Sequence, residues 1–182
     1  MELLKKKAQP SRILELFAVV FNLLFTFLYQ YQSWWCFVFG IVGPALLAIV
    51  LYKKSLFAET FLQFIYIALA IYGWLHISGT WDAIKITPKA HAALIVSGIL
   101  FTFLAGHLLK KYSTAQLPYI DSFTTVFAII ATALMMVPVH EAWLYFIAIN
   151  SVSIFMYTQR RLYLGAIMFT VYLLLSIKGY FF

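Results

Sequence analysis

The sequence predicts an all-α membrane protein with seven transmembrane helices, and three observations lead there. Of 182 residues, 64% are hydrophobic and only 10% are charged, whereas a water-soluble domain carries roughly a quarter charged residues. A soluble core of this size has no room for so many apolar side chains, so the bilayer is the solvent for the rest. Apolar runs near the ~20 residues a helix needs to cross hydrocarbon recur along almost the whole chain. The Lys and Arg residues, finally, sort onto alternate connections between those runs.

The spans read as Ile13–Tyr29, Trp34–Leu51, Ala58–Ile77, Ala90–Leu109, Asp121–Val139, Ala142–Tyr157 and Leu162–Phe182. The connections are short, so no soluble domain is expected between them and residues 1–182 form a single membrane domain. Lys5, Lys6, Lys7 and Arg12 precede the first span; Lys53 and Lys54 follow the second, Lys110 and Lys111 the fourth, and Arg160 and Arg161 the sixth. On the opposite side stand Lys85, Lys89 and Lys178. By the positive-inside rule, ten against three places the N-terminus in the cytosol and the C-terminus outside. The net charge of +7 is therefore mostly topology, and no nucleic-acid partner is expected. A cleaved signal peptide is not expected at the first span, because no small-residue cleavage site follows Tyr29 and Glu15 and Asn22 interrupt the run. One cysteine, Cys36, permits no intrachain disulfide. His76, His91, His107 and His140 form no i, i+4 pair, so neither a metal nor a cofactor is expected.

Spans one to three can be laid over spans five to seven. A shift of 106 places Tyr66 on Tyr172, Gly73 on Gly179 and Trp74 on Tyr180; a shift of 108 places Trp35 on Trp143 and Lys53 on Arg161. Both halves start inside and end outside, which makes a parallel 3+1+3 repeat: repeat one over about 13–77, a linker helix over about 90–109 and repeat two over about 121–182. Parallel repeats are a transporter architecture, with the substrate site expected between halves near the midplane.

Polar groups deep in hydrocarbon are costly unless paired or lining a wet cavity, so those at mid-depth are the candidate substrate contacts. Asn22 lies midway through the first span, Gln63 and Tyr66 in the middle third of the third, and Tyr172 midway through the seventh. Asn150 lies seven residues inward from Trp143, roughly 10 Å deeper. Thr124, Thr125 and Thr132 are on the fifth span. Two helical faces carry aromatics with an amide: Gln63, Tyr66, Ala70, Gly73 and Trp74, and Trp143, Phe146, Asn150, Ile154 and Tyr157. An amide offers two donors and an acceptor to a heterocycle or sugar, and aromatic faces bind flat cations. The competing reading is that Asn150 and Gln63 tie helices together and that Trp34, Trp35 and Trp143 belong to an interfacial belt. Asp121 is expected to cap the fifth span, accepting from the Thr124 amide, and Glu141 to cap the sixth.

The segments QFIYIALAIYGW (63–74), DSFTTVFAIIATAL (121–134), EAWLYFIAINSVSIFMY (141–157) and KGYFF (178–182) resemble the PnuC family of bacterial vitamin transporters, and the resemblance runs over nearly the full chain. Its most specific element is W-x-x-F-x-x-x-N, carried by Trp143, Phe146 and Asn150; the family commonly has Trp where Phe146 stands, and Tyr180 and Phe181 replace its usual Trp after the final Gly. The resemblance implies a seven-helix fold like the sugar-transporting SWEET proteins but inverted in the membrane, a homotrimer in the bacterial inner membrane, and facilitated diffusion of an unphosphorylated vitamin trapped by a cytosolic kinase. By family position Trp143, Phe146 and Asn150 contact substrate, with Gln63 and Tyr66 opposite.

Nicotinamide riboside is the expected substrate: its pyridinium is a flat cation suited to Trp143 and Phe146, and Asn150 and Gln63 match its carboxamide or ribose hydroxyls. Thiamin, also a flat cation, is the nearest alternative; riboflavin is larger and neutral. A structural membrane protein without a substrate is the reading from another class. An enzyme is not expected, because Ser97 and His107 are ten residues apart on one span and neither G-x-S-x-G nor H-E-x-x-H occurs.

Overall fold

An apolar run in hydrocarbon has no water to satisfy its backbone, so it must close its hydrogen bonds within the segment, as a helix does. The computed structural model describes residues 12–53, 57–77, 81, 84–113, 116–161 and 163–181. Lys5, Lys6, Lys7 and Lys54 of the expected inner-face cluster lie outside these residues, as do Leu162 and Phe182, the expected ends of the last span. Seven helices are formed: α1 (Arg12–Gln30), α2 (Trp35–Lys53), α3 (Phe57–His76), α4 (Pro88–Tyr112), α5 (Pro118–Met136), α6 (Ala142–Gln159) and α7 (Tyr163–Phe181). Among the described residues the β structure is one isolated bridge, Ile84 to Val139. By length and composition α1, α2, α4 and α5 are each long and apolar enough to cross a membrane. Of the others, α3 carries Gln63 and Tyr66, α6 carries Trp143, Phe146 and Asn150, and α7 carries Tyr172 and Ser176.

The fifth helix starts and ends three residues before its expected bounds, and two prolines explain both shifts. Pro118 occupies the first turn, where its missing N–H costs nothing and its φ suits the helix. Val137 precedes Pro138 and leaves the helical region (φ −111°, ψ 37°) because the proline ring crowds the α conformation of the residue before it. Asp121 consequently lies inside the first turn and is not the cap; its carboxylate instead accepts from Arg160 at 2.7 Å. Glu141 does stand at the N-cap position of α6, but in helical conformation and with no side-chain capping bond, so its expected role also fails. A side-chain cap does form at Thr87, whose hydroxyl accepts from the Ala90 amide at 3.2 Å ahead of Pro88 in the first turn of α4.

The chain divides into two compact units, Met1–Thr80 and Trp81–Phe182. In the first, α2 lies against both α1 and α3. Two glycines of α2 make the approach possible: a Cβ on Gly40 would stand 2.8 Å from the Phe25 ring, and one on Gly43 would stand 2.9 Å from Asn22 Oδ1. Small residues at such contacts let membrane helices pack where no hydrophobic drive separates protein from lipid.

In the second unit α4 lies on α5, α5 on α6 and α6 on α7. The buried residues of α4 are Gly98, Thr102 and Gly106, a small residue every fourth position, and the Phe127, Ile130 and Tyr119 side chains of α5 fill the space their missing or short side chains leave. A Cβ on Gly106 would collide with the Tyr119 ring. Gly106→Ala should therefore destabilise: overpacking costs about 1–3 kcal/mol, against a gain of about 1 kcal/mol in helix propensity. The measurement is the melting temperature of the purified protein in detergent, which should fall.

Candidate functional site

In the second unit the α6 stripe forms one side of an antiparallel seam with α7, and its large residues oppose small ones. Trp143 faces Gly179, where a Cβ would lie 2.6 Å from Cε2 of the indole. Seven residues on, the Asn150 Nδ2 donates to Ser176 Oγ at 3.2 Å. Seven further, the Tyr157 ring occupies the space where Gly165 has no side chain. A spacing of seven keeps all three on one helix face. Trp143 and Asn150 are 6% and 5% exposed.

Phe146 lies off this seam. It is half-buried against a core of Phe127, Ala131 and Ile149, on the side of α6 that meets α5, with its ring centroid 6.3 Å from that of Trp143 and the planes 53° apart. The two aromatics thus turn at an angle from neighbouring faces of α6.

The hydrogen bonds around Asn150 fix how its amide points. Ser176 donates its single proton to the Tyr172 carbonyl at 2.7 Å, so toward Asn150 its hydroxyl can only accept. The amide nitrogen must then face Ser176. The Asn150 carbonyl oxygen and second N–H make no further hydrogen bond among the described residues. Tyr172 itself is half-buried, its ring 6.2 Å from that of Phe169.

Thr124 is placed differently. The Asp121–Arg160 ion pair aligns the start of α5 with the end of α6. From that level Thr124 rises three residues, about 4.5 Å, and Asn150 ten residues, about 15 Å. The Thr124 hydroxyl also bonds within its own helix, to the Ile120 and Asp121 carbonyls at 3.1 and 3.0 Å.

In the first unit the buried stripe of α3 is Thr60, Gln63, Ala70 and Gly73, with buried Ile77 just past the helix end. Gln63 is 7% exposed yet among the described residues makes one long bond, from Nε2 to the Glu59 carbonyl at 3.4 Å, short of what a carboxamide can form. Tyr66, one turn on, is half-buried. Asn22 on α1 is turned inward on its own helix: Nδ2 donates to the Ala18 carbonyl at 2.9 Å, and Oδ1 lies over Gly43. Trp35, which the expected repeat pairs with Trp143, is 69% exposed.

Sequence reasoning missed Ser176 and the seating of Trp143 on Gly179. Ser176 was detectable as a lone hydroxyl in the aliphatic run LLLSIK.

The sequence model of the family described as "Nicotinamide mononucleotide transporter" matches residues 12–182. Among solved structures, the crystal structure of the vitamin B3 transporter PnuC is similar, with a TM-score of 0.75 at 22% identity, covering 94% of this chain and 80% of that one. At that identity the likeness shows the fold alone, an all-helical one.

Proposed function

The chain belongs to the nicotinamide mononucleotide transporter family, and we propose that within it this chain carries nicotinamide riboside across the bacterial inner membrane by facilitated diffusion. The observation that carries the reading is the oriented amide of Asn150. One N–H is spent on Ser176, and the remaining oxygen and N–H have the donor–acceptor pattern that a primary carboxamide complements. Trp143 and Phe146 supply two ring planes above it for a flat pyridinium. Gln63 and Tyr66 on α3 are proposed as further contacts, with Asn22, Thr124 and Tyr172 proposed in supporting positions on their helices.

The unphosphorylated riboside is favoured over the mononucleotide by charge. Among the described residues no Lys or Arg lies in the middle third of any helix, so nothing at mid-depth neutralises a phosphate of charge about −1.5 to −2. The same fact makes retention by a cytosolic kinase effective: once phosphorylated, the vitamin no longer crosses. A homotrimer with cytosolic N-termini, from the Lys and Arg distribution, completes the proposal.

Uptake into proteoliposomes tests it. Labelled nicotinamide riboside should equilibrate across the membrane, unlabelled riboside should compete, and nicotinamide mononucleotide should not. Kinase and ATP sealed inside should raise internal label above the external concentration. Transport of thiamin alone, or equal competition by the mononucleotide, sinks the assignment.

A further inference from the structure

We propose that the α4–α5 pair holds one anionic phospholipid, with an acyl chain in the groove between the helices and the phosphate at Lys111. The groove has a volume of about 380 Å³ and is lined from α4 by Ser97, Phe101, Leu104, Ala105 and Leu108, with Val126, Ile129 and Ile130 of α5 on its other side. That volume falls in the range of roughly 300–1,000 Å³ typical of small-ligand clefts, and seven of the eight lining residues are apolar. Along α4 it runs from Ser97 to Leu108, about 16 Å, the scale of one leaflet of a ~30 Å hydrocarbon core.

Its lower end is what commits it to an anionic lipid. The α4 residues in the groove recur at helical spacing, and the next positions on that line, three and four residues past Leu108, are Lys111 and Tyr112. The Lys111 ammonium sits 5.1 Å from the centre of the Tyr112 ring, whereas Lys110 is exposed on the opposite side of α4. Basic side chains at the end of an apolar interhelical groove are the arrangement that binds phosphate head groups, and an aromatic at the same level suits the membrane interface. Gly98, Thr102 and Gly106 draw α4 onto α5 along the adjacent face, which gives the groove a fixed floor where a loosely held annular lipid would find none.

Native mass spectrometry of the full chain, with phosphatidylglycerol and phosphatidylcholine of identical acyl chains, tests the site. One phosphatidylglycerol per chain should be retained in preference. Lys111→Gln should weaken that retention about fivefold, from the ~1 kcal/mol a juxtamembrane lysine contributes, and Lys110→Gln, on the opposite side of α4, should leave it unchanged. Ala105→Trp should fill the groove and remove the bound lipid with the melting temperature unchanged. Equal retention of the two lipids, or retention indifferent to Ala105→Trp, overturns the proposal. So does spontaneous disulfide pairing of an Ala105→Cys variant in a Cys36→Ser background, because it would show a second copy of the chain covering the groove.

Discussion

Uptake of nicotinamide riboside should fall about 10- to 100-fold in Asn150→Leu and by less than about threefold in Ser176→Ala. The two substitutions break the same interhelical hydrogen bond, but they remove different things. Ser176→Ala takes away an intramembrane hydrogen bond of about 0.6 kcal/mol and leaves Asn150 in place. Asn150→Leu also removes the carbonyl oxygen and N–H proposed to pair with the substrate carboxamide, leaving that group unpaired in a dry site at a cost of about 1–3 kcal/mol. If Asn150 serves only to tie α6 to α7, the two variants should lose thermal stability alike and transport alike. Equal uptake in the pair would refute the substrate role even if both values were reduced.

The hydropathy of the chain was sufficient to place seven helices within a few residues, because a span in lipid has one backbone solution. Their ends depended on local chemistry that hydropathy ignores, and Pro118 and Pro138 moved both ends of α5. The partners of the acids were not legible: Asp121 and Arg160 are 39 residues apart, and only the packing of α5 on α6 brings them to one level. At the candidate site the stripe itself could be read from spacing, but not what lies across it. Trp35 and Trp143 are equivalent as sequence, each near the start of a span, and yet one is exposed and the other buried. The difference is made by α7, which presents Gly179 to Trp143.

The stripe also did not disclose that its residues serve two faces. At helical spacing Trp143, Phe146 and Asn150 lie within one half-turn of each other, and either neighbour could have claimed all three. The structure divides them: Trp143 and Asn150 meet α7, and Phe146 meets α5. Phe146 is thus a packing position as well as a ring proposed to contact substrate. A Phe there needs no partner for an indole N–H.

Replacing Gly179 should disable transport by moving a ring that the substitution never touches chemically. A Cβ at this position would meet Cε2, Cδ2 and Cζ2 of Trp143 at 2.6, 2.7 and 2.8 Å, the fused centre of the indole and not its flexible rim. The ring cannot give by a few tenths of an ångström; either it leaves its rotamer or α7 moves away from α6. Gly179→Leu is therefore expected to lower riboside uptake at least tenfold, as Trp143→Ala should, with Gly179→Ala between them and the parent. A double variant separates displacement of the ring from damage to α7. If Gly179→Leu acts through Trp143, adding it to Trp143→Ala should cost little further uptake, and its side chain should refill the space the indole vacated and raise the melting temperature above that of Trp143→Ala alone. Additive losses in uptake would instead locate the damage in α7, and Trp143 would be a packing residue of the seam with no share in recognition.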